Sequence, residues 1–207
     1  MQKSALERIL DDEILVFDDF PTDFLLKDLR GRIFLPPGPR ENFCGVVSGL
    51  DLPESQKLHQ QLELLLGARL TDPDPDCARI RWTKKFDRPK SFVHCDPSTL
   101  VMTLYLSELP AGVRAEDFGT VFYQHRKTNW IRTDFKQAKS IIASNMIVKE
   151  DTNKMENWIV RRNIEFKKNR AVIYGGHLYH SPPLYFLEGT CPEERITMEY
   201  RAEFVRT

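Results

Sequence analysis

The chain has 207 residues, 41% hydrophobic and 29% charged, which suits one compact domain with its own core. Thirty Lys plus Arg balance thirty Asp plus Glu, so no overall field draws the protein to nucleic acid or to an anionic membrane. The four cysteines form no C-x-x-C pair, the N-terminus lacks an apolar signal region, and no apolar run nears the ~18 residues that span a bilayer, so the expectation is a cytoplasmic protein with reduced thiols.

In chain order, Ile14 to Phe17 reads as a short strand, followed by an acidic turn and a helix with Phe24, Leu25 and Leu29 on one side. FLPPGPRENFCG is a loop. LPESQKLHQQLELLLG carries Leu58, Leu62, Leu65 and Leu66 at helical spacing and stops at Gly67, so it predicts a helix packed beneath a sheet. Residues 1–74 are thus expected to form a supporting layer of strand and helix.

From residue 75 the texture changes to short segments rich in β-branched and aromatic residues: CARIRWTKKF, STLVMTLYLSE, GTVFYQH, NWIVRRNIEF, RAVIYGG and RITMEYRAEFV. Short strands separated by turn signals predict a mainly β fold with flanking helices (α+β), a sandwich or jelly roll over residues 75–207. An insert at about 129–157 interrupts them with a helix over DFKQAKSIIASNM and a polar turn, VKEDTNK. Between Arg126 and Arg170, twelve Lys or Arg face five Asp or Glu, either as a solvated surface or as a lid or rim that meets an anionic or polar substrate.

Chemistry concentrates in VHCDPST. A His and an Asp two apart on extended chain, His94 and Asp96, share a face, and the RAVIYGGHLYHSPP segment delivers histidine from a distant strand. Two imidazoles and one carboxylate from separated strands make a facial ligand set that leaves open positions on Fe(II). The third ligand is His180 or His177. An unbroken alternation through Val172, Tyr174, Gly176 and Leu178 favours His180, whereas a bulge at Gly175 and Gly176 would bring His177 inward. Further on, Arg195 shares a strand face with Thr197, and a guanidinium fork beside a hydroxyl receives a carboxylate well.

HCD at 94–96, HSPP at 180 and RIT at 195–197 together resemble the Fe(II)- and 2-oxoglutarate-dependent dioxygenase superfamily, with its H-x-D/E…H…R-x-S/T pattern, over roughly residues 75–205. VHCDPSTLVMTLYLS is similar to the prolyl-hydroxylase-like branch, and GTVFYQHR resembles small bacterial oxygenases. The resemblance implies a double-stranded β-helix core, iron held by His94, Asp96 and His180, dioxygen as oxidant, and 2-oxoglutarate bound by Arg195, Thr197 and Tyr105. It also implies hydroxylation rather than halogenation, because Asp96 occupies the position a halide would need. Ser107 stands where the family often has Asn. The loop LYFLEGTCPEE leaves Arg201 as an alternative to Arg195; those two arginines are spaced as in the alkylated-nucleic-acid demethylases, but ITMEY lacks their Asn-x-Thr.

The implied partner is a small-molecule or amino-acid-derived substrate, without nucleic acid or membrane and with the oligomeric state open. Arg81, beside Arg79 on one strand, and Tyr123 and Arg126 on another are the candidate substrate-binding residues, set against the plainer reading that such residues fill cores and pair on surfaces. Cys95 is expected to be a small filler on the opposite face from the ligands, and His59 and His125 are assigned no chemical role. A protein or peptide hydroxylase and a non-catalytic jelly-roll binding module are the competing functions.

Overall fold

The computed structural model describes residues 3–26, 32, 46–71, 78–83, 92–183 and 194–205. The loop at 34–45, Leu29, Cys44, Cys77, Cys191 and the stretch 184–193 before Arg195 lie outside them, so the expectations placed there find no counterpart.

Two helices are set by their ends. α1 (Ala5–Leu10), which the periodicity does not announce, starts from a capping box in which Ser4 and Glu7 satisfy one another's backbone donors. α3 (Leu52–Leu66) starts from the same device on Asp51 and Glu54, with proline in the first turn, and stops where Gly67 enters the left-handed region at φ 61°. Its Leu58, Leu62 and Leu66 are buried, as the spacing predicts, and Leu65 is half-buried. Between these helices lie β1 (Leu15–Phe17) and the single-turn α2 (Asp23–Leu26).

The strands are β2 (Val46–Gly49), β3 (Ala78–Thr83), β4 (Leu100–Tyr105), β5 (Thr120–His125), β6 (Trp158–Ile164), β7 (Ala171–Tyr174), β8 (His180–Ser181) and β9 (Arg195–Ala202). Among the described residues they form a sheet of six in the order β1-β7-β4-β9-β3-β2 and a sheet of three in the order β6-β5-β8, with antiparallel pairing throughout. Two antiparallel sheets joined by repeated crossovers give the expected mainly β jelly roll. β1 and β2 sit at opposite edges of the larger sheet, so the N-terminal region contributes strands as well as helices.

Alternation gives the larger sheet two unlike faces. Ile80, Leu100, Met102, Leu104, Ala171, Ile173, Met198 and Tyr200 point one way and bury against α1, α2 and α3 as the main core. Val101, Tyr105, Val172 and Tyr174 point the other way, into the space between the sheets, where they meet Phe118, Phe122, Ile164, Phe166 and Leu178.

α4 (Ala138–Asp151) runs five residues beyond the predicted helix, through Ile147, Val148, Lys149, Glu150 and Asp151. The expected polar turn is helical because that end is anchored: the Asp151 carboxylate meets His125 Nε2 at 3.2 Å, and its carbonyl accepts from Trp158 Nε1 at 2.9 Å.

Candidate metal centre

The segment carrying His94 and Asp96 is not a regular strand. It is held to β8 by one isolated bridge, in which His94 and His180 exchange two backbone hydrogen bonds of 2.9 Å. Both histidines therefore leave the backbone side by side, with ring centroids 4.4 Å apart. Asp96 is fixed next to them because its N–H donates to Gly176 O at 2.7 Å. Only glycine allows that approach: a Cβ on Gly176 would stand 2.5 Å from Ser98 O and 2.9 Å from Asp96 O.

Among the described residues, His94, Asp96 and His180 form one group whose donor atoms all lie within 4.8 Å of one another. The two rings are oriented by the same local device. His94 Nδ1–H donates to Phe92 O and His180 Nδ1–H donates to Leu178 O, each at 2.9 Å and each two residues back. In the neutral ring that bond leaves Nε2 as the lone-pair nitrogen, the form that ligates a metal, whereas a protonated Nε2 on His180 donates to Asp96. His180 Nε2 lies 3.3 Å from Asp96 Oδ2, close to the ~3 Å separating two donors that sit about 2.1 Å from a divalent ion at right angles. The donor set and its spacing fit such an ion.

Electrostatics suit the same role. His94 keeps some exposed surface, but its ring is enclosed by protein, and burial followed by the neighbouring His180 lowers its pKa to about 4. Burial by itself would raise the Asp96 carboxyl; the hydrogen bond and charge of His180, with His94 and Arg201, outweigh it and hold the group well below the usual carboxylate range.

The alternation argument reaches His180 by a path the chain does not follow. β7 ends at Tyr174, a turn occupies Gly176 and His177, and the chain crosses to the smaller sheet before His180. His177 is carried out of the centre by that turn, and its Nε2 pairs with Asp12 Oδ1 at 2.8 Å.

The other expected residues separate into two groups. Arg195, Thr197, Tyr105 and Arg81 come together: Thr197 on β9 is in register with Tyr105 on β4 and Arg81 on β3, and Arg195 is two residues away on the same face. Arg195 is buried, its Nη2 donates to Gly119 O at 3.1 Å, and its guanidinium lies 5.4 Å from the Tyr105 ring and 5.9 Å from Phe166. Tyr105 is stacked on Phe166 and donates to Thr120 Oγ1 at 2.8 Å, and burial raises its pKa, keeping the hydroxyl protonated. Ser107, the departure from the family pattern, accepts from Ile196 N at 3.2 Å and so pins the start of β9 beside Arg195.

Tyr123 and Arg126 are engaged elsewhere. On β5 Phe122 faces His180, with ring centroids 6.1 Å apart, while its neighbour Tyr123 takes the opposite face and packs with Trp158 and Tyr179 on the outer side of the smaller sheet. Arg126 is exposed and donates to Glu156 O at 3.0 Å. Cys95 points away from the ligands, half-buried, with Sγ 3.3 Å from Thr133 Oγ1.

One contact escaped the sequence reading. Arg201, alternative to Arg195 in the motif, instead reaches Asp96 Oδ1 at 3.1 Å and donates through Nε to Glu199 Oε1 at 2.6 Å, while Arg81 pairs with the same Glu199. Arg81, Glu199, Arg201 and Asp96 form a continuous ionic strip leading to the centre. The signal was legible as R-x-T-x-E-x-R along β9, a polar series of period two on a strand whose other face is apolar.

Set beside known proteins, residues 54–185 match the model of a family described as a family of unknown function (DUF6445). No curated protein matches significantly. Among solved structures, the chain is similar to a prolyl-4-hydroxylase from Pseudomonas putida, at 13% identity over 98% of this chain and 97% of that one, with a TM-score of 0.51. It is also similar to HygX from Streptomyces hygroscopicus with nickel, 2-oxoglutarate and hygromycin B bound, at 12% identity over 97% and 86%, with a TM-score of 0.52. A prolyl 4-hydroxylase structure from Phytophthora capsici is 15% identical at a TM-score of 0.48; 97% of this chain is matched and spans 62% of that chain's length. The fold is thus that of the Fe(II)- and 2-oxoglutarate-dependent oxygenases, the double-stranded β-helix that the H-x-D…H…R-x-T pattern implied.

Proposed function

We propose that this chain, which belongs to the family of unknown function DUF6445, is an Fe(II)- and 2-oxoglutarate-dependent dioxygenase hydroxylating an unactivated C–H bond of a small-molecule or amino-acid-derived substrate. The observation that carries this reading is the convergence of two imidazole Nε2 atoms and one carboxylate, from His94, His180 and Asp96, inside a fold shared with an oxygenase structure holding nickel and 2-oxoglutarate. These three residues would hold the iron, which when bound supplies activation of dioxygen coupled to decarboxylation of 2-oxoglutarate to succinate and carbon dioxide.

The remaining work falls to the chain's own groups. Arg195 offers a buried fork for the distal carboxylate of 2-oxoglutarate, and Thr197 and the protonated Tyr105 hydroxyl lie on the same face to complete that receptor. Phe122, Tyr174, Val101 and Leu178 wall the space between receptor and ligands with apolar surface, which excludes water and strengthens each polar contact made inside. The carbonyls of Phe92 and Leu178 hold both imidazoles in the ligating tautomer. Arg201 holds Oδ1 of Asp96, directing Oδ2 towards the shared space beside His180. The strip from Arg81 through Glu199 to Arg201 sets charges of both signs beside the centre, which suits a small polar or zwitterionic substrate.

The test is succinate formation from 2-oxoglutarate by the parent chain supplied with Fe(II), joined to a screen of metabolite pools for a gain of one oxygen atom. His94→Ala, Asp96→Ala and His180→Ala should each abolish turnover, while His177→Ala should keep most of it. Activity lost in His177→Ala but kept in His180→Ala would overturn the ligand assignment. Oxygen gain on proline-containing peptides alone would move the substrate to the protein class, and iron binding without any succinate would favour a non-catalytic module.

A further inference from the structure

We infer that the insertion between β5 and β6 is a brace that sets the geometry of the metal centre, with Thr133, Ser144 and Thr152 as positioning residues. The inference rests on the metal-centre reading above and adds to it residues that touch neither metal nor substrate.

Both ligand segments alternate. His94 and Asp96 face the centre and their neighbours Val93 and Cys95 face outward; His180 faces the centre and Tyr179 faces outward. The outward residues all meet the insertion. Phe92, Val93 and Tyr179 are buried in one cluster with Tyr123 and Trp158, and Cys95, Trp130, Ile147 and Met155 pack against it.

Polar contacts tie the same parts. At the C-terminal end of α4, Thr152 Oγ1 donates to Val93 O at 2.7 Å, Val93 N donates to Thr152 O at 3.2 Å, and Phe92 N donates to Asn153 Oδ1 at 3.0 Å. Ahead of α4, Thr133 N donates to His177 O and Tyr179 N donates to Ile131 O, each at 2.9 Å. Between these two seams runs a buried chain of side chains. Cys95 Sγ contacts Thr133 Oγ1, Thr133 contacts Ser144 on α4, and Ser144 Oγ meets Tyr179 OH at 2.7 Å. That chain joins the His94–Asp96 segment to the His180 segment through the insertion.

Among the described residues, the two ligand segments share one isolated bridge with one another, and Asp96 adds its N–H bond to Gly176 O. Their relative placement therefore depends on what backs them, and the insertion backs both. α4 turns Ile142 and Met146 to solvent and its buried Ser144 inward, so the basic surface of the insertion is its outer side. Outer contacts that orient ligands typically change metal affinity by about 10–100-fold when removed.

The experiment titrates the metal-free full-length chain with Co(II), whose visible absorption reports affinity and coordination geometry. Thr133→Val should weaken Co(II) binding by about 10–100-fold and alter the band pattern, and Thr133→Ser should restore both. Ser144→Ala decides in the same way should Thr133→Val fail to fold. Co(II) affinity and bands unchanged in a folded hydroxyl-less variant would overturn the proposal, as would a loss that the serine variant fails to restore. A parent chain that binds no Co(II) would remove the centre itself, and this proposal with it.

Discussion

Strand β9 carries two proteins' worth of requirements on alternate residues. Ile196, Met198, Tyr200 and Ala202 point into the core over α3, while Arg195, Thr197, Glu199 and Arg201 point into the space between the sheets. Apart from Tyr200, whose hydroxyl meets His59 Nδ1 at 2.6 Å, the first set is interchangeable in kind, since hydrophobic burial is non-directional and depends on volume and area. The second set is not, since its charged members are each placed by a directional contact: Arg195 on Gly119 O, Arg201 on Asp96, Glu199 between Arg201 and Arg81. A period of two lets one strand hold the apolar core with one face and a directional polar set with the other.

The comparison breaks most sharply if one face is altered without disturbing its opposite. His180→Ala should eliminate metal uptake, read by Co(II) titration, while the thermal unfolding of the metal-free chain stays close to that of the parent. On the apolar face, Met198→Ala should cost ~2–5 kcal/mol in chemical denaturation, and the folded fraction should keep its affinity for Co(II). Arg195→Ala should raise the KM for 2-oxoglutarate by about 10–100-fold, matching ~1.5–3 kcal/mol for a lost charge-assisted contact. In steady-state kinetics Arg195→Lys should recover part of that loss, because the charge returns without the fork.

The smallest effect lies at the sheet edge, away from both faces. Arg170, and then Lys167, lower the Asp18 pKa to about 2. A depressed carboxyl contributes stability above its unfolded value of 3.8 and loses it as pH falls through about 2. Its side chain is 39% exposed, so solvent screening keeps Asp18→Asn within ~1 kcal/mol at pH 7. Urea unfolding at pH 7 should resolve that small difference, and it should vanish as the pH approaches 2.

Much of this architecture was legible in the chain itself. β1, β3, β4, β5, β6, β7 and β9 follow from β-branched and aromatic runs, and α3 from leucines at helical spacing ended by glycine. α1, β2 and β8 were not legible, because a six-residue helix rests on its cap, β2 offers only Val46 and Val47 before Ser48 and Gly49, and β8 is two residues long. Phe122 in place of Tyr123 was hidden because alternation along β5 separates its two faces without saying which of them turns inward.

Sequence alone determined the residue types able to chelate an ion, the split of β9 into an apolar and an ionic set, and the class of fold, because side-chain chemistry and period are local properties. Tertiary structure brought His180 rather than His177 beside His94 and Asp96, tied Arg201 to Asp96, and set α4 behind their segments. Those outcomes depend on where a turn releases the chain and which distant backbone it then meets, and such meetings are governed by packing in three dimensions more than by the spacing of residues.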